Sequence, residues 1–136
     1  MSSTGIQVTE EVLDAFNQVK AGNCRYAISC INEDHTEVVL EKLGDASKDY
    51  KDFCGELPSD GCRYGFVDYQ YKTKDGRDTS KMIFFVWAPD AAPIKSKMMI
   101  TSRKDAVKKK LIGIGVELGV TDFDELEPSG FEDKLN

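Results

Sequence analysis

The sequence predicts a mixed α/β fold, with a central mixed sheet and helices on both of its faces. Three observations carry that prediction. Met82-Ile83-Phe84-Phe85-Val86-Trp87 is apolar without alternation, the pattern of a central strand covered on both sides. Arg25 to Ile31 and Glu37 to Leu43 read as two strands joined by a polar turn at 32–36, a hairpin. Helical spacing recurs around these strands. No internal repeat or linker breaks the pattern, and 136 residues suit one domain, over 1–136, with a single substantial core.

Residues 1–8 carry no helical or clear strand pattern and are expected to form a mobile arm. A helix follows with Thr9 as N-cap and Glu10 and Glu11 in the first turn, where the helix dipole favours anions. Val12, Leu13, Phe16 and Val19 make its apolar stripe, and Lys20 and Gly22 mark its end. After the hairpin, Ser47 is the expected N-cap of a second helix whose Tyr50, Phe53, Cys54 and Leu57 share a face until Pro58 stops it. Cys62 to Tyr71 is an aromatic-rich strand, and Lys74-Asp75-Gly76 is a turn before the central strand. Ile114, Val116 and Leu118 alternate as a final strand. Beyond Thr121 the acids favour helix, but Pro128 and Gly130 limit it to a short or frayed one.

Composition excludes several classes of function. Forty per cent hydrophobic and 31% charged residues are ordinary for a soluble globular chain. No apolar run approaches the ~20 residues of a membrane helix, and the N-terminus lacks the regions of a secretory signal, so the expected address is cytoplasmic. Cys24, Cys30, Cys54 and Cys62 show no metal-ligand spacing and are expected to be reduced core residues. His35 lies alone in a polar turn. The sequence holds no Gly-rich phosphate loop, no Gly-x-Ser-x-Gly and no His/Cys or His/Asp pairing, so no catalytic constellation, metal or cofactor is implied. A net charge of −6 argues against nonspecific nucleic-acid binding. That charge is unevenly placed: Ile94 to Ile112 holds seven basic residues and one acid, whereas seven acids and one base follow from Glu117 onward.

The basic stretch is the candidate site. In helical projection Ile100, Val107 and Leu111 define a core side, with Ser96 and Arg103 in the same sector. Met98 falls about 160° from Ile100, among Lys95, Lys97, Thr101, Ser102, Asp105, Lys108 and Lys109. Solvation alone accounts for a basic helix face. It does not account for Met98 and Ile94 inside a ring of lysines, because a soluble chain gains nothing by wetting them. A flexible thioether in a charged rim suits contact with a hydrophobic cleft on another protein.

These residues also carry a resemblance. Trp87-Ala88-Pro89-Asp90-Ala91-Ala92-Pro93-Ile94-Lys95-Ser96-Lys97-Met98-Met99, followed by Thr101 to Leu111, resembles the signature of the actin-depolymerising factor/cofilin family. Leu57-Pro58, Asp60 to Tyr64, Asp68-Tyr69 and Gly5-Ile6-x-Val8 match as well. The resemblance spans nearly the whole chain. It implies an ADF-homology domain, with a five- to six-stranded mixed sheet between helices. It also implies a monomer that binds monomeric and filamentous actin in the cytoplasm and cytoskeleton, prefers the ADP state, and promotes filament depolymerisation and severing.

Residue by residue, Lys95, Lys97 and Met98 match the family's central monomer contacts, and Asp105, Lys108 and Lys109 its outer ones. Thr4, Gly5 and Ile6 match the N-terminal contact. Lys95, Lys97, Lys108, Lys109 and Lys110 match a phosphoinositide-binding surface, and Ser2, Ser3 and Thr4 stand around the family's regulatory phosphorylation position. Filament binding is implied at Lys81, with Arg77 near Thr79 where many members carry a second basic residue, and at Asp133 and Lys134. The competing expectations are a coactosin-like or glia-maturation-factor-like module that binds filament sides or a branching complex without severing, and an enzyme using the lysine cluster for a phosphorylated small molecule.

Overall fold

The apolar run at residues 82–87 becomes the spine of the sheet. A computed structural model describes residues 6–135. In chain order these form β1 (Gln7–Val8), α1 (Glu10–Lys20), β2 (Cys24–Ile31), β3 (Glu37–Asp45), α2 (Tyr50–Gly55), β4 (Arg63–Lys72), β5 (Asp78–Trp87), α3 (Ile94–Lys110) and β6 (Val116–Val120). Three 3-10 turns follow, Asp124–Leu126, Pro128–Gly130 and Glu132–Lys134. Among the described residues the sheet has six strands in the order β1-β3-β2-β4-β5-β6. The outer pairs β1–β3 and β5–β6 are parallel, and the pairs between them are antiparallel.

Side chains on β5 alternate between two buried layers, which is why the run looks apolar throughout. Phe84 and Val86 join Val12, Phe16 and Val19 of α1, Tyr64 and Phe66 of β4, and Ile100 and Val107 of α3. Ile83, Phe85 and Trp87 point the other way, toward Tyr26, Phe53, Leu118 and the C-terminal Leu126, Phe131 and Leu135. Helices therefore cover both faces, as the patterning predicts. The turn from β4 into β5 closes on Gly76, whose φ of +87° is the left-handed conformation that favours glycine.

Three local expectations are corrected. The end of the expected arm at 1–8 is ordered: Ile6 is buried, and β1 pairs with Glu37–Val38. A two-residue strand is too short to leave an alternation signal. The second helix is capped by Asp49, not Ser47. Asp49 accepts from the Asp52 amide at 3.0 Å while Asp52 accepts from the Asp49 amide at 3.0 Å, a capping box built from two aspartates. Ser47 instead turns back to the Asp45 carboxylate. Finally, the acidic segment after Thr121 forms 3-10 turns rather than a helix, and its apolar residues are core: Leu126, Phe131 and Leu135 are almost wholly buried.

Candidate functional site

The long helix is placed by the chain that enters it. The Trp87 indole donates to the Pro58 carbonyl at 2.7 Å. Ala88 and Asp90 donate backbone bonds to Val120 and Thr121 at 3.0 and 3.2 Å, tying the entry segment to β6. Pro93 occupies the N-cap position with φ −57°, and the Lys97 amide bonds its carbonyl at 3.1 Å, so α3 starts without a side-chain cap. At the far end, Lys20 of α1 donates to the Ile112 carbonyl at 2.8 Å. Gly113, with φ +109°, then turns the chain toward β6, and a Cβ there would meet the Lys20 side chain at 2.9 Å.

α3 divides as the projection predicts. Ile100, Val107 and Leu111 are buried, and the Tyr64 hydroxyl donates to the Ile100 carbonyl. Burial pushes the Tyr64 phenol well above its usual range, so it stays a neutral donor. Ser96 and Arg103 are half-buried. On the other side Met98 is 67% exposed and Ile94 73% exposed. Lys95, Asp105, Lys108, Lys109 and Lys110 are exposed, and Lys97 is half-buried with its ammonium 3.3 Å from the Asp90 carbonyl. Among the described residues Lys95, Lys109 and Lys110 have no ion-pair partner. Three hollows of about 660, 710 and 340 Å³ are lined by residues outside α3. α3 thus presents two exposed apolar side chains within a basic rim and lines none of these three hollows.

The electrostatics of α3 involve a residue that sequence reasoning missed. Glu117 of β6 accepts from Lys104 at 2.6 Å and faces Lys108 at 3.3 Å. Partial burial opposes ionisation of Glu117, but bonds from the two ammonium groups outweigh it and hold the carboxyl below its usual range. The same contact raises Lys104. The signal in the sequence was a lone acid on an apolar strand, but its partners lie 13 and 9 residues back and only the β5–α3–β6 connection brings them together. Ile112, 77% exposed just past the helix, was also missed.

The residues expected to contact filaments lie at the turn between β4 and β5 (Arg77), on β5 (Lys81) and on the last C-terminal turn (Asp133 and Lys134). Lys81 donates to the Leu135 carbonyl at 2.7 Å, which brings it beside Asp133 and Lys134, both exposed. Tyr69 and Tyr71 reinforce the seam, donating to the Glu132 carboxylate at 2.6 Å and the Leu135 carbonyl at 3.2 Å. Arg77 sits on the turn itself, paired with Asp75 at 3.0 Å. The C-terminal turns pack on the sheet face opposite α3. Ile6 is buried in the layer that contains α3, while Ser2, Ser3, Thr4 and Gly5 lie outside the described residues. Among the described residues no group of three or more His, Cys, Asp or Glu side chains could hold a metal ion.

A basic helix with an exposed methionine, carried by a six-stranded mixed sheet with helices on both faces, defines the class of domain. Comparison with known proteins places the chain within that class. The profile of the family described as cofilin/tropomyosin-type actin-binding protein matches residues 5–136. Actophorin of Acanthamoeba castellanii is 43% identical over 132 residues, covering 96% of this chain and 95% of its own. The crystal structure of Streptomyces griseoflavus cofilin superposes with a TM-score of 0.87 at 35% identity, covering 97% of this chain and 98% of that one. Coactosin from Entamoeba histolytica shares the fold, with a TM-score of 0.80, 97% and 95% coverage and only 18% identity. The chain belongs to the cofilin/tropomyosin-type actin-binding family.

Proposed function

We propose that this protein binds monomeric and filamentous actin through α3 and promotes filament disassembly. The observation that carries the reading is Met98, 67% exposed between Lys95 and the half-buried Lys97 on a helix whose opposite side is core. Water gains nothing from that thioether. A cleft with an apolar floor and an acidic rim would bury it and meet the lysines at its edge. Lys95, Lys97 and Met98 form the centre of the contact, with Asp105, Lys108 and Lys109 along its outer edge; Thr4 and Gly5 are proposed as further contacts, and Ile6, buried in the core, as their anchor. Arg77, Lys81, Asp133 and Lys134 supply the second, filament-binding surface. The work is cytoplasmic and cytoskeletal, done by a monomer.

Two regulatory inputs fit the same surface. Phosphoinositide headgroups would be attracted by Lys95, Lys97 and Lys108 to Lys110, since each basic residue near an anionic surface adds attraction. Phosphorylation at Ser2, Ser3 or Thr4 would add about −1.5 to −2 charge to the N-terminal segment and weaken contact with an acidic partner.

The test is sedimentation of filamentous actin with this protein, reading both pelleted protein and released actin. Release is expected. Replacing Lys95 and Lys97 together by Ala should lower monomer affinity by roughly thirtyfold or more, as hot-spot truncation does, while the melting temperature holds. Unchanged affinity in that variant would sink the assignment. Filaments decorated along their sides but never cut would instead support a coactosin-like or glia-maturation-factor-like role.

A further inference from the structure

Glu117 is the acid that β6 contributes to the α3 side of the sheet, and two of α3's ammonium groups converge on it. Lys104 and Lys108 stand one helical turn apart, so their side chains lie on one stripe. Their ammonium groups meet the two carboxylate oxygens at 2.6 and 3.3 Å. Glu117 is well shielded, with 19% of its side chain exposed, whereas Lys104 and Lys108 remain 32% and 45% exposed. Although their ammonium groups are held, both lysines keep part of their side chains accessible from outside. The charge of α3 is therefore interrupted: lysines without an ion pair among the described residues lie at its front (Lys95) and rear (Lys109 and Lys110), and a compensated pair lies between.

This arrangement treats two kinds of ligand differently. A folded protein surface reads position, and an ammonium already held in place loses less conformational freedom when it docks. A fluid anionic surface reads summed charge and takes no account of where each lysine is held. Resting on the actin-binding reading above, we propose that Glu117 is a specificity-determining, positioning residue of the α3 face. By holding Lys104 and Lys108 to the sheet, it presents them in order to actin and offsets part of the pull that α3, Lys108 included, exerts on anionic lipid.

The test is Glu117→Gln, which keeps the side chain's size and an acceptor but removes its charge. Binding is measured to monomeric actin and to phosphatidylcholine vesicles carrying phosphatidylserine. Vesicle affinity should rise about fivefold, the effect of one additional net positive charge near an anionic surface, and the gain should vanish in high salt. Monomer affinity should fall roughly threefold to tenfold, the cost of ordering a freed lysine. Glu117→Asp retains the charge on a shorter arm, so vesicle binding should stay at the wild-type level while monomer binding drops. A purely structural role would weaken both arms together, and that result overturns the proposal, as does no change in either. A wild-type chain that leaves actin unbound defeats the actin-binding reading itself; absence of a vesicle gain in Glu117→Gln would then overturn the charge-offsetting role separately.

Discussion

On α3, Lys95, Lys109 and Lys110 reach into solvent with no ion pair among the described residues, and Ile94 and Met98 of the first turns stand exposed with them. On the opposite face of the sheet, Lys81 is bound to the Leu135 carbonyl and three aromatic or aliphatic anchors lie under the C-terminal turns, while Arg77 pairs with Asp75 on the turn at the sheet's end. The first surface is carried by a helix whose stability comes from its other side. In the second, Lys81 is itself one of the contacts that hold the chain's end in place. Substitutions should therefore separate binding from folding on α3 and entangle them at the turn and tail.

The sharpest way to break this contrast is Phe131→Ala. Phe131 is 3% exposed and edge-packed on Tyr50, Tyr69 and Phe85. Its truncation should cost about 3–5 kcal/mol of stability in a denaturant melt, with filament binding lost alongside. Met98→Ala is the counterpart on α3. It should weaken monomer binding by about 2 kcal/mol in a titration, yet move stability by no more than about 0.5 kcal/mol. If Met98→Ala unfolds the protein as Phe131→Ala does, the separation fails. Lys81→Met falls between the two: loss of its 2.7 Å bond should cost about 1 kcal/mol of stability and also reduce filament binding in sedimentation.

The smallest effect concerns acid. The folded carboxyl of Glu117 lies below its ordinary value of 4.5, so the folded state holds that proton less readily than the unfolded chain does. The stability from Glu117 is present above the ordinary value and is lost as pH falls through the depressed one. Glu117→Gln should flatten that part of the acid limb by a small amount, measured as melting temperature against pH below about 4.5, and leave neutral-pH behaviour of the tail unchanged.

Much of the fold and the presented side of α3 was legible because both rest on long periodic patterns. The continuous run at 82–87 announced a two-sided strand, and the spacing of Ile100, Val107 and Leu111 announced which way α3 faces. The failures are all short or non-local. β1 has only two residues, so no period could appear. The α2 cap uses aspartate at both ends of the capping box, and Ser47 two residues earlier offered a more familiar signal. The C-terminal turns bury Leu126, Phe131 and Leu135 at spacings of five and four, which fit neither a sustained helix nor a strand. Glu117 was invisible for a different reason: its partners precede it by 9 and 13 residues, and only the return of β6 beside β5 puts it under α3.

The entry bonds from Ala88 and Asp90 to β6, and the bond from Gly115 to Met82 of β5 at 2.8 Å, clamp both ends of α3 to the same pair of strands. Between those fixed ends, Ile100, Val107 and Leu111 are buried against the sheet, so opening the middle of the helix would have to expose core. Its central amides should accordingly exchange with solvent only through large-scale opening. A partner then meets a helix already made, with no folding step between encounter and docking, so association should follow single-step kinetics with a rate set by diffusion and charge steering.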